Sequence, residues 1–197
     1  GAQRMGAQAG GARGGVPAAA SDPLGAPPGG ALAWPHTNAH MDAQEAPMAP
    51  TPSDLLASAQ TLAADLSALR RELHRDPEVG LELPATQARI LQALEGLPLE
   101  ITTGTALTSV VAVLRGAHPG PAVLLRGDMD ALPVVEENDL PYRSTNGAMH
   151  ACGHDLHVAG LVGAARLLAE RRDELHGSVI FMFQPGEEHP GGAAPML

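Results

Sequence analysis

The chain has 197 residues, enough for one domain with a substantial core, and 22 acidic against 12 basic residues give it a formal net charge of −10. This balance argues against a nucleic-acid partner, because phosphate binding needs a basic patch. The single cysteine excludes an internal disulfide, and neither a bilayer-spanning apolar run nor a secretory signal pattern is present. We therefore expect a cytoplasmic protein.

The N-terminal segment, residues 1–52, is rich in glycine, alanine and proline and lacks hydrophobic periodicity. Such a segment cannot bury enough apolar surface to offset the entropy lost on ordering, so we predict that it is disordered. The chain begins with glycine rather than methionine and ends directly after a Gly/Ala/Pro stretch. We expect it to be a piece of a longer protein.

Two helices are predicted at the start of the ordered part. Ser53 can cap a helix N-terminus. Apolar residues then recur at steps of four and three from Leu55 to Leu73, which predicts one amphipathic helix. Pro84 suits the first turn of a second helix, which we expect to run to about Leu94.

The following segments alternate between strand and helix patterns. Two apolar, β-branched segments, 109–115 and 122–128, are separated by the turn-forming sequence GAHPGP, which predicts a hairpin-like connection. Apolar residues on one face predict a helix over 158–169. The continuous apolar run 178–184 predicts a strand covered on both faces. This alternation indicates a layered α/β domain.

Acidic side chains lie at the ends of two predicted strands. Asp128 and Asp130 stand at the end of segment 122–128, and Glu187 and Glu188 follow segment 178–184. Ligands of open α/β sheets bind outside the carboxyl ends of the strands, so we expect these four carboxylates to meet in one crevice.

The sequence GAMHACGHDLHVAG, residues 147–160, holds the only cysteine, Cys152, among His150, His154 and His157. This loop precedes the 158–169 helix and can reach the same crevice. Thiolate and imidazole suit zinc, and carboxylates also accept manganese or cobalt. We interpret Cys152 and His154 as metal ligands, and the other two histidines as structural neighbours of the site.

Each of these features has a plain structural explanation when it is taken alone. Adjacent glutamates in a loop are usually solvated, Asp128 could cap a turn, and Cys152 could be a small buried residue. Their convergence from three separate segments favours a metal-dependent hydrolase. In such an enzyme the metal lowers the pKa of a bound water, and a carboxylate that is not a ligand moves the proton.

Four sequence segments, RRELHRDPEVGLE, LRGDMDALP, MHACGHDLH and FQPGEE, occur in this order over about residues 66–197. Together they resemble the metal-dependent amidohydrolases of the M20 peptidase family. The most similar subgroup contains hippurate hydrolases, indole-acetyl-amino-acid hydrolases and N-acetyldiaminopimelate deacetylases. The resemblance implies hydrolysis of the amide bond of N-acyl amino acids. It also implies a layered α/β/α, zinc-peptidase-like catalytic domain, of which residues 53–197 are the N-terminal half.

The resemblance also assigns roles to individual residues. The family's metal ligands match three positions of this sequence, Cys152, His154 and Glu188. Glu187 matches the catalytic general base, and Asp130 matches an aspartate behind the ligands that orients one of them. Asp128 stands where other branches of the family carry a histidine ligand, so its role is open.

The family's active site holds two divalent metal ions, here manganese, zinc, cobalt or nickel. Its remaining ligands, and a lid domain used for dimerisation, come from segments that this sequence lacks. We therefore expect the intact enzyme to be a homo-oligomer and residues 1–197 alone to be inactive. Two alternatives stay open: a dipeptidase or aminoacylase of the same family, and a non-catalytic protein that keeps the fold. The glutamate pair argues against the second, because a binding protein needs no proton-transferring carboxylate beside a ligand.

Overall fold

The computed structural model describes residues 51–196, so the prediction of disorder for the N-terminal segment lies, apart from its last two residues, outside the described part. The helices are α1 (Pro52–Thr61), α2 (Ala63–Arg75), α3 (Pro84–Ala93) and α4 (His154–Glu170), with 3₁₀ turns at Arg172–Glu174 and Ala194–Met196. The strands are β1 (Glu100–Thr103), β2 (Val110–Arg115), β3 (His118–Asp128) and β4 (His176–Gln184). The α/β class and the helix that begins at Pro84 are confirmed.

The first predicted helix is wrong in two respects. Its N-cap is Thr51 rather than Ser53, because Thr51 and Asp54 form a reciprocal capping box. The single predicted helix is also broken after Thr61, whose hydroxyl donates to the carbonyl of Ser58 at 2.7 Å. Such side-chain bonds compete with the helical ladder, and apolar periodicity alone does not reveal them.

The sheet has the strand order β1-β2-β4-β3. β2 pairs antiparallel with both β1 and β4, and β3 pairs parallel with β4. The predicted hairpin of β2 and β3 is therefore wrong, because β4 lies between them. The chain leaves β3, crosses through α4 and returns parallel to β3 as β4, and such a crossover places the returning strand beside the one it left.

The core lies between the sheet and the helices. On α4 the predicted apolar face is confirmed, since Val158, Val162 and Ala165 are fully buried. Phe181 and Phe183 of β4 are also fully buried in this core, whereas Ile180 and Met182, which alternate with them, are only half-buried. The prediction that β4 is covered on both faces is therefore wrong for the described residues. Helices pack only over the face of β4 that carries Phe181 and Phe183.

The topology brings two strand ends to one edge of the sheet. β3 and β4 run parallel, and their last residues, Asp128 and Gln184, are paired in register. The N-terminus of α4 follows β3 and lies at the same edge. Within residues 51–196, no helix is long and apolar enough to cross a membrane.

Candidate metal centre

His154 lies at the centre of the candidate site. It is the first residue of α4 rather than part of the preceding loop, and it is buried. Its Nδ1 lies 2.8 Å from the carbonyl oxygen of Asp130, which can only accept, so Nδ1 carries a proton. The imidazole therefore presents Nε2 to the crevice, where it lies 3.7 Å from Glu187 Oε2 and 3.9 Å from Glu188 Oε1.

Cys152 reaches the same point from the turn before α4. Gly153 separates it from His154 in a left-handed conformation, φ +80°, which a residue with a Cβ adopts only with strain. The ligand atoms of Cys152, His154 and Glu188 all lie within 4.8 Å of one another. A hydrogen bond to Glu188, with smaller effects from burial and from the charges of Glu188 and Glu187, raises the pKa of the exposed thiol.

Asp130 holds the two glutamates in place through their backbone. Its buried carboxylate accepts the Glu187 N–H at 2.9 Å and the Glu188 N–H at 3.1 Å. Burial raises the pKa of this carboxyl group, but hydrogen bonds from His154 and from the two backbone amides outweigh it, and the pKa is lowered. One aspartate therefore contacts both the histidine and the loop that carries the glutamates.

Asp128 is engaged by two neighbours. One carboxylate oxygen pairs with Arg126 and the other with His157 Nδ1, while His154 Nε2 lies 3.7 Å away. The ligand atoms of Asp128, His154 and His157 also lie within 4.8 Å of one another. The predicted convergence of the four strand-end carboxylates and the loop residues on one crevice is thus present in the structure.

The chemistry of the donors fits a divalent cation. A thiol, an imidazole nitrogen and a carboxylate form the kind of mixed set that suits zinc and similar ions. The hydrogen bond from His154 Nδ1 to a backbone carbonyl fixes the tautomer that leaves Nε2 as the ligand atom, as is usual for metal-binding histidines. Cys152, His154 and Glu188 could therefore hold an ion together.

Comparison with known proteins identifies the family. The sequence model of peptidase family M20/M25/M40 matches residues 124–197. This part of the chain belongs to the M20 peptidase family. The resemblance drawn from the four sequence motifs is confirmed, whereas the roles of individual residues stay predictions.

Curated relatives and a solved structure agree with this M20 assignment. The chain is 44% identical over 131 residues to an N-acetylcysteine deacetylase of Bacillus subtilis and 44% identical over 133 residues to thermostable carboxypeptidase 2 of Saccharolobus solfataricus. Each match covers 66% of this chain and 34% of the relative, so the chain spans about a third of their length. The structure of B. subtilis YxeP, described as a dinuclear metal-binding peptidase of family M20, superposes with TM-score 0.66 and 42% identity, over 70% of this chain and 39% of that one.

Sequence reasoning missed a buried polar cluster behind the M20 site. His74 of α2 contacts Asp155 at 2.7 Å and Glu136 at 3.1 Å. His150 lies beside His74, with ring centroids 6.4 Å apart, and neither of its ring nitrogens has a hydrogen-bond partner among the described residues. The histidine in RRELH and the aspartate in CGHD were available signals, but nothing in one sequence indicates that they meet.

The first prediction concerns Asp130. We expect Asp130→Asn to weaken metal binding by about ten- to a hundredfold, because an amide cannot accept from both glutamate N–H groups as the carboxylate does. Metal affinity of the full-length protein, measured by competition with a chelator, checks this. Asp76→Asn, which removes a carboxylate from an exposed ion pair with Arg89, is the control and should leave the affinity unchanged. Wild-type affinity in Asp130→Asn would contradict the account.

The second prediction concerns acid stability of the metal-free protein. Burial lowers the pKa of His150 from 6.5 to about 4, so the unfolded chain takes up a proton between pH 7 and 4 that the folded chain does not. The free energy of unfolding should therefore fall over this range, by up to roughly 3 kcal/mol. The raised pKa of His154 acts in the opposite direction, and comparison with His150→Gln isolates the contribution of His150. Denaturant titrations at several pH values measure the free energy of unfolding. The same pH dependence of this free energy in the wild type and in His150→Gln would contradict the prediction.

Proposed function

We propose that this chain is the N-terminal part of a metal-dependent amidohydrolase that cleaves the amide bond between an acyl group and an amino acid. The observation that carries the proposal is the geometry of the glutamate pair. Asp130 binds the backbone N–H groups of Glu187 and Glu188, and both carboxylates lie within 4 Å of His154 Nε2. Two carboxylates beside one imidazole can have different roles: one can bind the cation while the other transfers a proton.

Cys152, His154 and Glu188 are the proposed metal ligands. When bound, a divalent cation would polarise the amide carbonyl and lower the pKa of a water molecule. Zinc, manganese, cobalt and nickel are the candidates. Three ligands are too few for the two ions that the resemblance implies, so the remaining ligands would come from other parts of a longer protein. We therefore expect residues 1–197 alone to be inactive.

Glu187 is the proposed general base. Its side chain is 41% exposed, against 25% for Glu188, so it is the more accessible of the pair to a substrate. In this role it takes a proton from the attacking water and delivers it to the leaving nitrogen, which departs as the free amine of the amino acid. Asp130 supports the role by holding the Glu187 backbone.

The proposed substrate class is an amino acid acylated on its nitrogen. The last residue of a peptide is also of this kind, so the deacetylase and the carboxypeptidase among the relatives are both compatible with it. A ligand thiol must stay reduced, which supports a cytoplasmic location as part of the same proposal. Homo-oligomerisation stays a prediction of the resemblance.

Separate substitutions test the division of labour between the two glutamates. In the full-length enzyme, Glu187→Gln should lower kcat by about a hundred- to ten-thousandfold with metal content unchanged, because only the proton acceptor is lost. Glu188→Gln should lower metal affinity as well. Turnover of hippurate, N-acetyl amino acids and dipeptides, together with metal analysis of the purified proteins, checks both. Near-normal kcat in Glu187→Gln on every substrate would contradict the assignment.

A further inference from the structure

His74 lies in the first of the four sequence motifs, and the proposed reaction gives it no role. Its side chain is 4% exposed and sits between two fully buried carboxylates. Nδ1 lies 2.7 Å from Asp155 Oδ2, and Nε2 lies 3.1 Å from Glu136 Oε1. One ring therefore connects α2 to the second residue of α4 and to the segment between β3 and α4.

Each ring nitrogen of His74 faces a carboxylate oxygen. Arg70 Nη2 lies 3.3 Å from His74 Nδ1, but the shorter contact of Nδ1, at 2.7 Å, is with a carboxylate oxygen. Arg70 Nε also lies 2.7 Å from that oxygen of Asp155, so the Arg70 guanidinium and the His74 ring contact the same carboxylate.

Glu136 extends this contact into the segment that leads to the metal site. Its second oxygen accepts the backbone N–H of Ser144 at 2.8 Å. Burial raises the pKa of Glu136, but hydrogen bonds from Ser144 and His74 outweigh it and the pKa is lowered. The segment held in this way runs on to Cys152, and Asp155 directly follows His154. Of the three proposed ligands, His154 is thus directly before Asp155 and Cys152 is three residues before it.

We propose that His74 is a positioning residue: by binding Asp155, it fixes the first turn of α4 so that His154 and Cys152 can bind the same cation. Without His74, the Asp155 carboxylate would keep its contact with Arg70 but lose the contact with the ring, which is costly for a buried group, and the first turn of α4 would be free to shift. His154 and Cys152 stand one and three residues from Asp155, so such a shift would separate them. This inference rests on the proposed function, because it presumes that these residues bind metal.

Two amide substitutions separate the two contacts of His74. Asparagine places an N–H₂ group near the position of Nδ1, whereas glutamine places one near Nε2. His74→Asn should retain the contact with Asp155 and bind Zn²⁺ with an affinity close to that of the wild type. His74→Gln should lose that contact and bind Zn²⁺ about tenfold more weakly, with a matching fall in kcat and little change in KM. Competition with a chromophoric chelator on full-length protein measures the affinity.

Controls separate positioning from stability. Leu73→Val alters the neighbouring core residue of α2 and should lower Tm without changing Zn²⁺ affinity. Asp155→Asn perturbs the same contact from the other side, and its loss of affinity should not add to that of His74→Gln in the double variant. If His74→Asn does not fold, this comparison of the double variant with the two single variants still tests whether His74 acts through Asp155.

Failure of the inference and failure of the proposed function give different results. If wild-type protein binds no Zn²⁺, the proposed function is wrong, and the inference about His74 is wrong as well. If wild-type protein binds Zn²⁺ but His74→Gln binds equally tightly, the inference alone is wrong. Equal weakening in His74→Asn and His74→Gln would also overturn it, because the contact with Asp155 would then have no special importance.

Discussion

The site depends on the buried residue Asp130. Its carboxylate accepts two successive backbone N–H groups after β4, and its carbonyl oxygen accepts from His154 at the start of α4. A buried carboxylate that makes charge-assisted hydrogen bonds to backbone amides constrains the chain more strongly than neutral contacts do. The position of both glutamates relative to His154 Nε2 follows from this one residue.

Negative charge is concentrated around His154. Asp128, Asp130, Glu187 and Glu188 converge there, and Arg126 pairs with only one of them, Asp128. Carboxylates this close to each other and to a thiol repel one another, so the crevice favours a bound cation. The hydrogen bond between Cys152 and Glu188 raises the pKa of the thiol, and burial and the nearby carboxylates raise it further by smaller amounts. The proposed affinity for a divalent ion thus has the same electrostatic origin as the clustering of the acids.

Sequence patterns predicted those parts of the fold that depend on local chemistry. Pro84 marks the start of α3 and the apolar face of α4 appears where its periodicity places it, because both signals arise within a few residues. The strand-end location of the acids also followed from a general property of α/β sheets. The break after Thr61, where the Thr61 hydroxyl bonds the Ser58 carbonyl, was missed because apolar periodicity does not report side-chain hydrogen bonds.

Features that depend on the tertiary arrangement could not be predicted from one sequence. The pairing of β2 with β4 results from the α4 crossover, which the turn-forming sequence between β2 and β3 does not reveal. The contact of His74 with Asp155 joins residues 81 positions apart. The family resemblance predicted that Asp130 orients a metal ligand. The contacts of Asp130 with the backbone of Glu187 and Glu188 could not be predicted from the sequence.

X-ray absorption spectroscopy of the zinc-loaded full-length protein can establish whether Cys152, His154 and Glu188 hold one cation. We expect a sulfur scatterer at about 2.3 Å from zinc in the wild-type protein, and its replacement by a light atom at shorter distance in Cys152→Ser. A wild-type spectrum without sulfur, or one that Cys152→Ser leaves unchanged, would contradict it.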